Sequence, residues 1–149
     1  MKNVLFVCTG NTCRSPLAEA LLRSRAGCGI QVKSAGVQAF PNSPASANTL
    51  AVLAEKGIGS NHLSKPLTED LLDWADIILT MTNAHKEMIK LFYPHVSEYL
   101  FTLKEYVDPL ANNLDIDDPF GGPIEAYRQT AEQIECCLDD LTQKLSDLT

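Results

Sequence analysis

The sequence predicts a single three-layer α/β domain, with a four-stranded parallel sheet and helices on both faces. Three observations carry that reading. Short, continuously apolar runs recur, as in strands buried on both faces. They alternate with segments of helical period, which implies parallel strands joined by right-handed crossovers. The last stretch of chain spaces its apolar residues three and four apart, the pattern of an amphipathic helix. The 149 residues, 45% of them hydrophobic, supply core for one domain over 1–149, and no repeat, linker or low-complexity tract divides them.

Taken in order, Asn3–Val7 reads as a first strand closed by a Gly-bearing turn. Ser15 can cap the helix that follows, Pro16 suits its first position, and Leu17, Ala18, Leu21 and Leu22 recur at helical spacing until Gly27 and Gly29. Ile30–Ala35 is a second strand, and Ser43-Pro44 is expected to open a helix carrying Ala47, Leu50, Ala51 and Ala54, stopped by Gly57. Thr68, followed by Glu69 and Asp70, is a favourable helix entry because acids complement the positive N-terminal end of the dipole. That short helix leads into a third strand, Asp76–Met81. Asn83–Phe92 reads as a helix ended by Pro94, and Tyr99–Leu103 as a fourth strand. Ile124, Tyr127, Ala131, Ile134, Leu138, Leu141, Leu145 and Leu148 define the final helix. Its small Ala131, and a sheet that needs a cover, favour docking on the core over a coiled coil.

Composition narrows the function. Twelve Lys and Arg against nineteen Asp and Glu give a formal charge of −7, which offers no basic field for nucleic acid or an anionic membrane. The longest apolar runs, Val4–Val7 ending at Cys8 and Ile77–Leu79, fall far short of a membrane span, and Met1-Lys2-Asn3 before VLFVC lacks the apolar stretch of an export signal. A cytoplasmic protein is the expectation. Five cysteines, an odd number without regular spacing, point to a reducing compartment. His62, His85 and His95 have no ligand spacing, so neither metal nor cofactor is expected, and Asp115, Asp117 and Asp118 read as a solvated loop rather than a cation site. Nothing in the terminal helix demands a dimer, and a monomer is expected.

The chemistry concentrates in CTGNTCRS, residues Cys8 to Ser15. Ligands of parallel sheets bind beyond the carboxyl ends of the strands, and this loop joins the first strand to a helix N-terminus. A short curl of Thr9, Gly10, Asn11, Thr12 and Cys13, with Gly10 relaxing the backbone, can aim several N–H groups inward. The helix N-terminus adds unsatisfied donors and partial positive charge. Arg14 can grip two oxygens of a tetrahedral dianion with its planar fork. The same field lowers the pKa of a neighbouring thiol, so Cys8 is expected to be a thiolate at neutral pH. A nucleophile and an oxyanion cradle in one loop suit transfer of a phosphoryl group to sulfur and then to water.

With these residues in view, VLFVCTGNTCRSPLAEAL resembles the signature of the low-molecular-weight protein-tyrosine-phosphatase family, and DDPFGG matches its second motif. The resemblance spans essentially the whole chain. It implies that Cys8 is the nucleophile, Arg14 the phosphate clamp, and Ser15 the hydroxyl supporting the thiolate. It further implies that Asn11 holds the loop in shape, braced by Ser34 and His62, and that Asp118 is the general acid and later the base. Asp118 also makes physical sense, because Pro119 biases it toward an extended conformation and Asp117 then points to the opposite side.

Two positions depart from the tyrosine-specific pattern. Thr12 stands where a bulky aliphatic residue is usual, and Phe120-Gly121 replaces a pair of tyrosines. Flat apolar walls suit a phosphotyrosine ring, whereas a threonine, one phenylalanine and Asp118 suit a planar guanidinium. In these residues and in FTLKEYV the chain resembles the bacterial protein-arginine phosphatases of the family, which implies phosphoarginine proteins as partners, with phosphotyrosine proteins the alternative. An arsenate reductase would need further cysteines placed for a thiol relay, and a non-catalytic reader of phosphorylated residues would not need Cys8. Cys13 is either packing or a thiol that resolves oxidised Cys8. Cys28, Cys136 and Cys137 are expected to be structural, and Tyr106 and Phe92 to be packing or loop residues.

Overall fold

Strand β1, Lys2–Cys8, is buried from Val4 onward and occupies the middle of the sheet because both of its faces are apolar. In the computed structural model, residues 2–25 and 29–147 are described. Gly27, Cys28 and Leu148, each invoked above, lie outside them. Helix α1 is Arg14–Arg25, strand β2 Ile30–Gly36, helix α2 Ala47–Glu55 and helix α3 Glu69–Trp74. Strand β3 is Ile77–Thr80, helix α4 Asn83–Phe92, strand β4 Leu100–Thr102, helix α5 Leu103–Val107 and helix α6 Ile124–Asp147. All strand pairs are parallel, in the order β2-β1-β3-β4.

Alternation along β1 sorts the two cores. Val4, Phe6 and Cys8 face a layer containing Leu17 and Leu21 of α1, Val52 and Leu53 of α2, Leu103 of α5 and the apolar stripe of α6. Leu5 and Val7 face Leu72 of α3 and Ile89 of α4. The terminal helix docks through Tyr127, Ala131, Ile134, Leu138, Leu141 and Leu145, all buried, as the period of its sequence predicts. Strand order reverses at β1, since β2 lies on one side and β3 on the other. The loop after β1 therefore opens at the switch point where parallel sheets hold ligands.

Several boundaries differ from the sequence reading, each for a local reason. Helix α1 begins at Arg14, with Cys13 O accepting from Leu17 N, so Ser15 lies inside the first turn rather than capping it. Helix α2 is capped by Ser46, whose hydroxyl accepts from Thr49 N, while Pro44 forms a bridge with Leu63 instead of opening the helix. Strand β4 ends at Thr102, which starts α5 through a reciprocal capping box with Glu105. Phe92 is neither packed nor in a loop, because it ends α4 exposed to solvent, whereas Tyr106 packs against Phe101.

Candidate active site

The loop of residues 8–15 is anchored at both ends by regular structure. Cys8 is the last residue of β1, opposite Gly36 of β2, and Arg14 is the first residue of α1. The positive φ in the curl falls on Asn11 (57°), a residue type that tolerates the left-handed region, and not on Gly10. The glycine the loop requires is Gly36. A Cβ there would overlap the Thr9 carbonyl and stand 2.9 Å from Asn11 N and from Ala39 Cβ. Backbone bonds from Val37 N to Cys8 O and from Gln38 N to Thr9 O, both 2.9 Å, complete this close contact.

Asn11 is fully buried, and its side-chain amide and its carbonyl are all engaged. Its Nδ2 donates to Ser15 Oγ at 2.8 Å and to Ser34 Oγ at 2.9 Å, and its Oδ1 accepts from Lys65 N at 3.0 Å. Its carbonyl lies 2.8 Å from His62 Nε2. The other ring nitrogen of His62 stands 3.6 Å from the buried Glu19 carboxylate. Ser15 accepts from Asn11, so its own proton is free for Cys8 Sγ, 2.8 Å away.

Cys8 itself is buried, and burial raises its thiol pKa above the ordinary value. The Ser15 hydroxyl and backbone, the Arg14 charge and the Asn11 backbone oppose that rise. Desolvation is the largest of these influences, a contribution that an argument from helix N-terminus and cation alone leaves out, while the Ser15, Arg14 and Asn11 contributions are the ones that favour a thiolate.

The Arg14 guanidinium, 5% exposed, crosses to the segment after α5. Its Nη1 donates to Ile116 O at 3.2 Å, and Nη2 stands 3.5 Å from Asp118 Oδ2. Asp118 is about half exposed, with 54% of its side chain accessible, and its Oδ1 accepts from Phe120 N. The acidic run does not act as a cluster. Asp117 turns away to Gln133 of α6, and Asp115 accepts from Asn83 N at the start of α4. Among the described residues no group of three or more His, Cys, Asp or Glu is placed to hold a metal. None of the described helices is long and apolar enough to cross a membrane.

A cavity of about 370 Å³ opens over the loop. Cys8, Thr9, Gly10, Thr12, Cys13 and Arg14 line its floor and walls, with Asp118 and Phe120 on one side and Gln38, Phe40 and Ser43 on another. Phe120 is 76% exposed and Phe40 82%. Asn11, Ser15, Ser34 and His62 do not line it and hold the loop from behind. Cys13 contacts Tyr127 Oη at 3.6 Å and Ser46 Oγ at 3.7 Å. Cys137 is buried, with its thiol pushed up to about 11, while Cys136 is exposed.

Sequence reasoning missed Phe40, Gly36, Glu19 and His85, the last with its Nε2 2.8 Å from Thr9 Oγ1. An aromatic four residues beyond Gly36, where β2 ends, is a faint signal for Phe40. The other three owe their positions to contacts between distant segments.

The family described as low molecular weight phosphotyrosine protein phosphatase matches residues 3–148. A protein-arginine-phosphatase from Geobacillus stearothermophilus is 49% identical over 142 residues, 95% of each chain. The solved structure of YwlE arginine phosphatase from the same organism superposes with a TM-score of 0.95 at 47% identity, covering 99% of this chain and 94% of that one. A cysteine-to-serine mutant of YwlE arginine phosphatase, with a phosphorylated active site serine, superposes with a TM-score of 0.92 at 46% identity, covering 97% and 95% of the two chains.

Proposed function

This chain belongs to the low molecular weight phosphotyrosine protein phosphatase family and is a cysteine-dependent protein phosphatase, and from that premise we propose that it hydrolyses phosphoarginine on proteins. The observation that carries the substrate choice is the make-up of the cavity above Cys8. Thr12 offers a hydroxyl, Asp118 a carboxyl group and Phe120 an exposed ring, three features that favour a planar guanidine group over an aryl group. The Geobacillus relatives, named as arginine phosphatases, support the same reading.

In this proposal the loop amides and Arg14 cradle the phosphoryl oxygens. The Cys8 thiolate, stabilised by the proton Ser15 donates, attacks phosphorus. The phosphorus–nitrogen bond breaks, its electron pair goes to the guanidine nitrogen, and Asp118 supplies the proton that nitrogen needs. A cysteinyl-phosphate remains on Cys8. Asp118, now a carboxylate, takes a proton from water as the water oxygen attacks phosphorus, and the phosphorus–sulfur bond breaks to release phosphate and the thiolate. Arg14 serves both stages, since it binds the phosphoryl group while Ile116 O and Asp118 orient it. Asn11, Ser34 and His62 act as supports of the loop. The protein works as a monomer, and in a reducing, cytoplasmic compartment, the compartment being supported by its odd, irregularly spaced complement of cysteines.

Phosphotyrosine is the second reading, favoured by the exposed Phe40 and Phe120 rings that can flank an aryl group. Turnover of matched phosphoarginine and phosphotyrosine peptides, repeated with Thr12→Ile, separates the two. The proposal expects phosphoarginine to be preferred, and the ratio of kcat/KM values to swing about tenfold or more toward phosphotyrosine in the variant. An unchanged preference would reject the pocket argument.

A further inference from the structure

His85 belongs to none of the groups to which the reaction above gives a part, yet it touches the loop one residue after the nucleophile. Its position is set from the sheet outward. Thr80 Oγ1 donates to Thr82 O at 2.8 Å, Thr82 Oγ1 accepts from His85 N at 3.2 Å, and Thr80 lies opposite Val7 of β1. The first turn of α4 is thereby tied to the strand that carries Cys8, and the His85 ring reaches Thr9 Oγ1 at 2.8 Å. The ring is 6% exposed, and its Nδ1 is buried with no hydrogen-bond partner among the described residues.

An unpaired buried ring nitrogen carries a desolvation cost, and a leucine of similar size would fill the space without it. Packing therefore does not explain a histidine here. Burial and the Arg14 charge hold its pKa down at about 4, against the opposing pull of Asp115 and Asp118, so the ring is neutral near pH 7 and carries one proton. An orphaned N–H is rarer in proteins than an orphaned acceptor, which assigns that proton to Nε2 and makes Thr9 Oγ1 the acceptor.

We propose that His85 is a positioning residue of the phosphatase reaction: its ring clamps the Thr9 side chain while Gln38 N holds the Thr9 carbonyl, so that the amide following Cys8 stays aimed into the phosphate cradle. The inference rests on reading residues 8–15 as that cradle. His62 grips the same loop from its other side, through the Asn11 carbonyl. Two histidines, one on α4 and one in the segment between α2 and α3, thus pin separate parts of one curl, and a cradle held this way needs no rearrangement when charge develops on the phosphoryl oxygens.

The test uses the full chain with His85→Leu, His85→Gln, Thr9→Val and the double variant Thr9→Val/His85→Leu. Thermal midpoint, kcat and KM on nitrophenyl phosphate, and inhibition by inorganic phosphate are measured for each. The expected result is a His85→Leu variant at least as heat-stable as the parent whose kcat/KM falls about tenfold, with phosphate inhibition weakened to match. His85→Gln, which keeps a donor, recovers most of the loss. Thr9→Val reproduces it, and the double variant is no worse than either single one. A His85→Leu protein that melts earlier in step with its lost activity, full activity in that variant, or losses that multiply in the double variant would each overturn the proposal. A parent enzyme with no turnover would instead sink the reading of the loop itself, and with it this inference.

Discussion

The floor and the rim of the cavity are built on opposite terms. Cys8 and Arg14 on the floor, and Asn11, Ser15 and Ser34 behind it, are all buried and bonded to one another or to backbone. On the rim, Phe40 and Phe120 stand out in solvent and Asp118 is about half exposed. In the proposed reaction the floor holds the nucleophile and the phosphoryl clamp, in an environment where each hydrogen bond is strengthened by the exclusion of water. The rim, in the same proposed reaction, holds groups that meet the leaving group, where residues can change without disturbing the fold. Chemistry and selectivity are thereby separated by depth, and perturbations at the two levels should differ in kind.

The deepest change should be the most severe. Cys8→Ala is expected to reduce turnover of every phosphorylated substrate by roughly 10⁴-fold or more while the protein stays folded, as measured by steady-state kinetics and a thermal melt. Gly36→Ala tests the floor without touching a reacting group. The added methyl would overlap the Thr9 carbonyl and crowd Asn11 N, so the loop must shift, with a loss of about 1–3 kcal/mol in stability and about 100-fold in kcat/KM for all substrates alike. Gly59→Ala, with nothing within 4 Å of the new methyl, is the control and should change neither. A floor variant that altered substrate preference instead of overall rate would break the separation by depth.

Acid stability sharpens the same contrast. His85 has its pKa lowered from 6.5 to about 4 in the folded protein, so the unfolded chain binds its proton first as pH falls. The stability this provides is present above pH 6.5 and is lost between about pH 6.5 and pH 4, on the order of 3 kcal/mol in all. Denaturant melts of the parent and His85→Leu should therefore diverge across that window, the parent losing more. Parallel curves would show that the ring is not held neutral.

Much of this arrangement is legible in the chain. The loop between a buried strand and a helix N-terminus carries Cys8 and Arg14 at a spacing whose chemistry is local, and the cap at Thr68 follows from a side chain reaching nearby backbone. The period of α6 names its buried face because one face must meet the sheet. Other features require tertiary contacts. Gly36 reads as an ordinary strand end until β2 is laid beside the loop, and His85 as one more helix residue until α4 is set against β1. The left-handed residue falls on Asn11 because its side chain has three anchoring hydrogen bonds to make, which no local rule weighs against the freedom of Gly10. The Thr102–Glu105 capping box was readable in FTLKEYV, where a short strand passes directly into a helix. The Cys8 thiol shows the converse, because a local argument names the cation that favours its thiolate and omits the burial that only the folded core imposes.

The most direct test of the account is a rapid-mixing experiment on Asp118→Asn with nitrophenyl phosphate, whose leaving group departs without needing a proton. The first step then proceeds while the second, deprived of its base, stalls. The account predicts a burst of nitrophenolate equal to the enzyme concentration, followed by slow turnover, with the phosphoryl group recovered on the peptide containing Cys8. A linear time course with no phosphoenzyme, or phosphate recovered on any other residue, would contradict it.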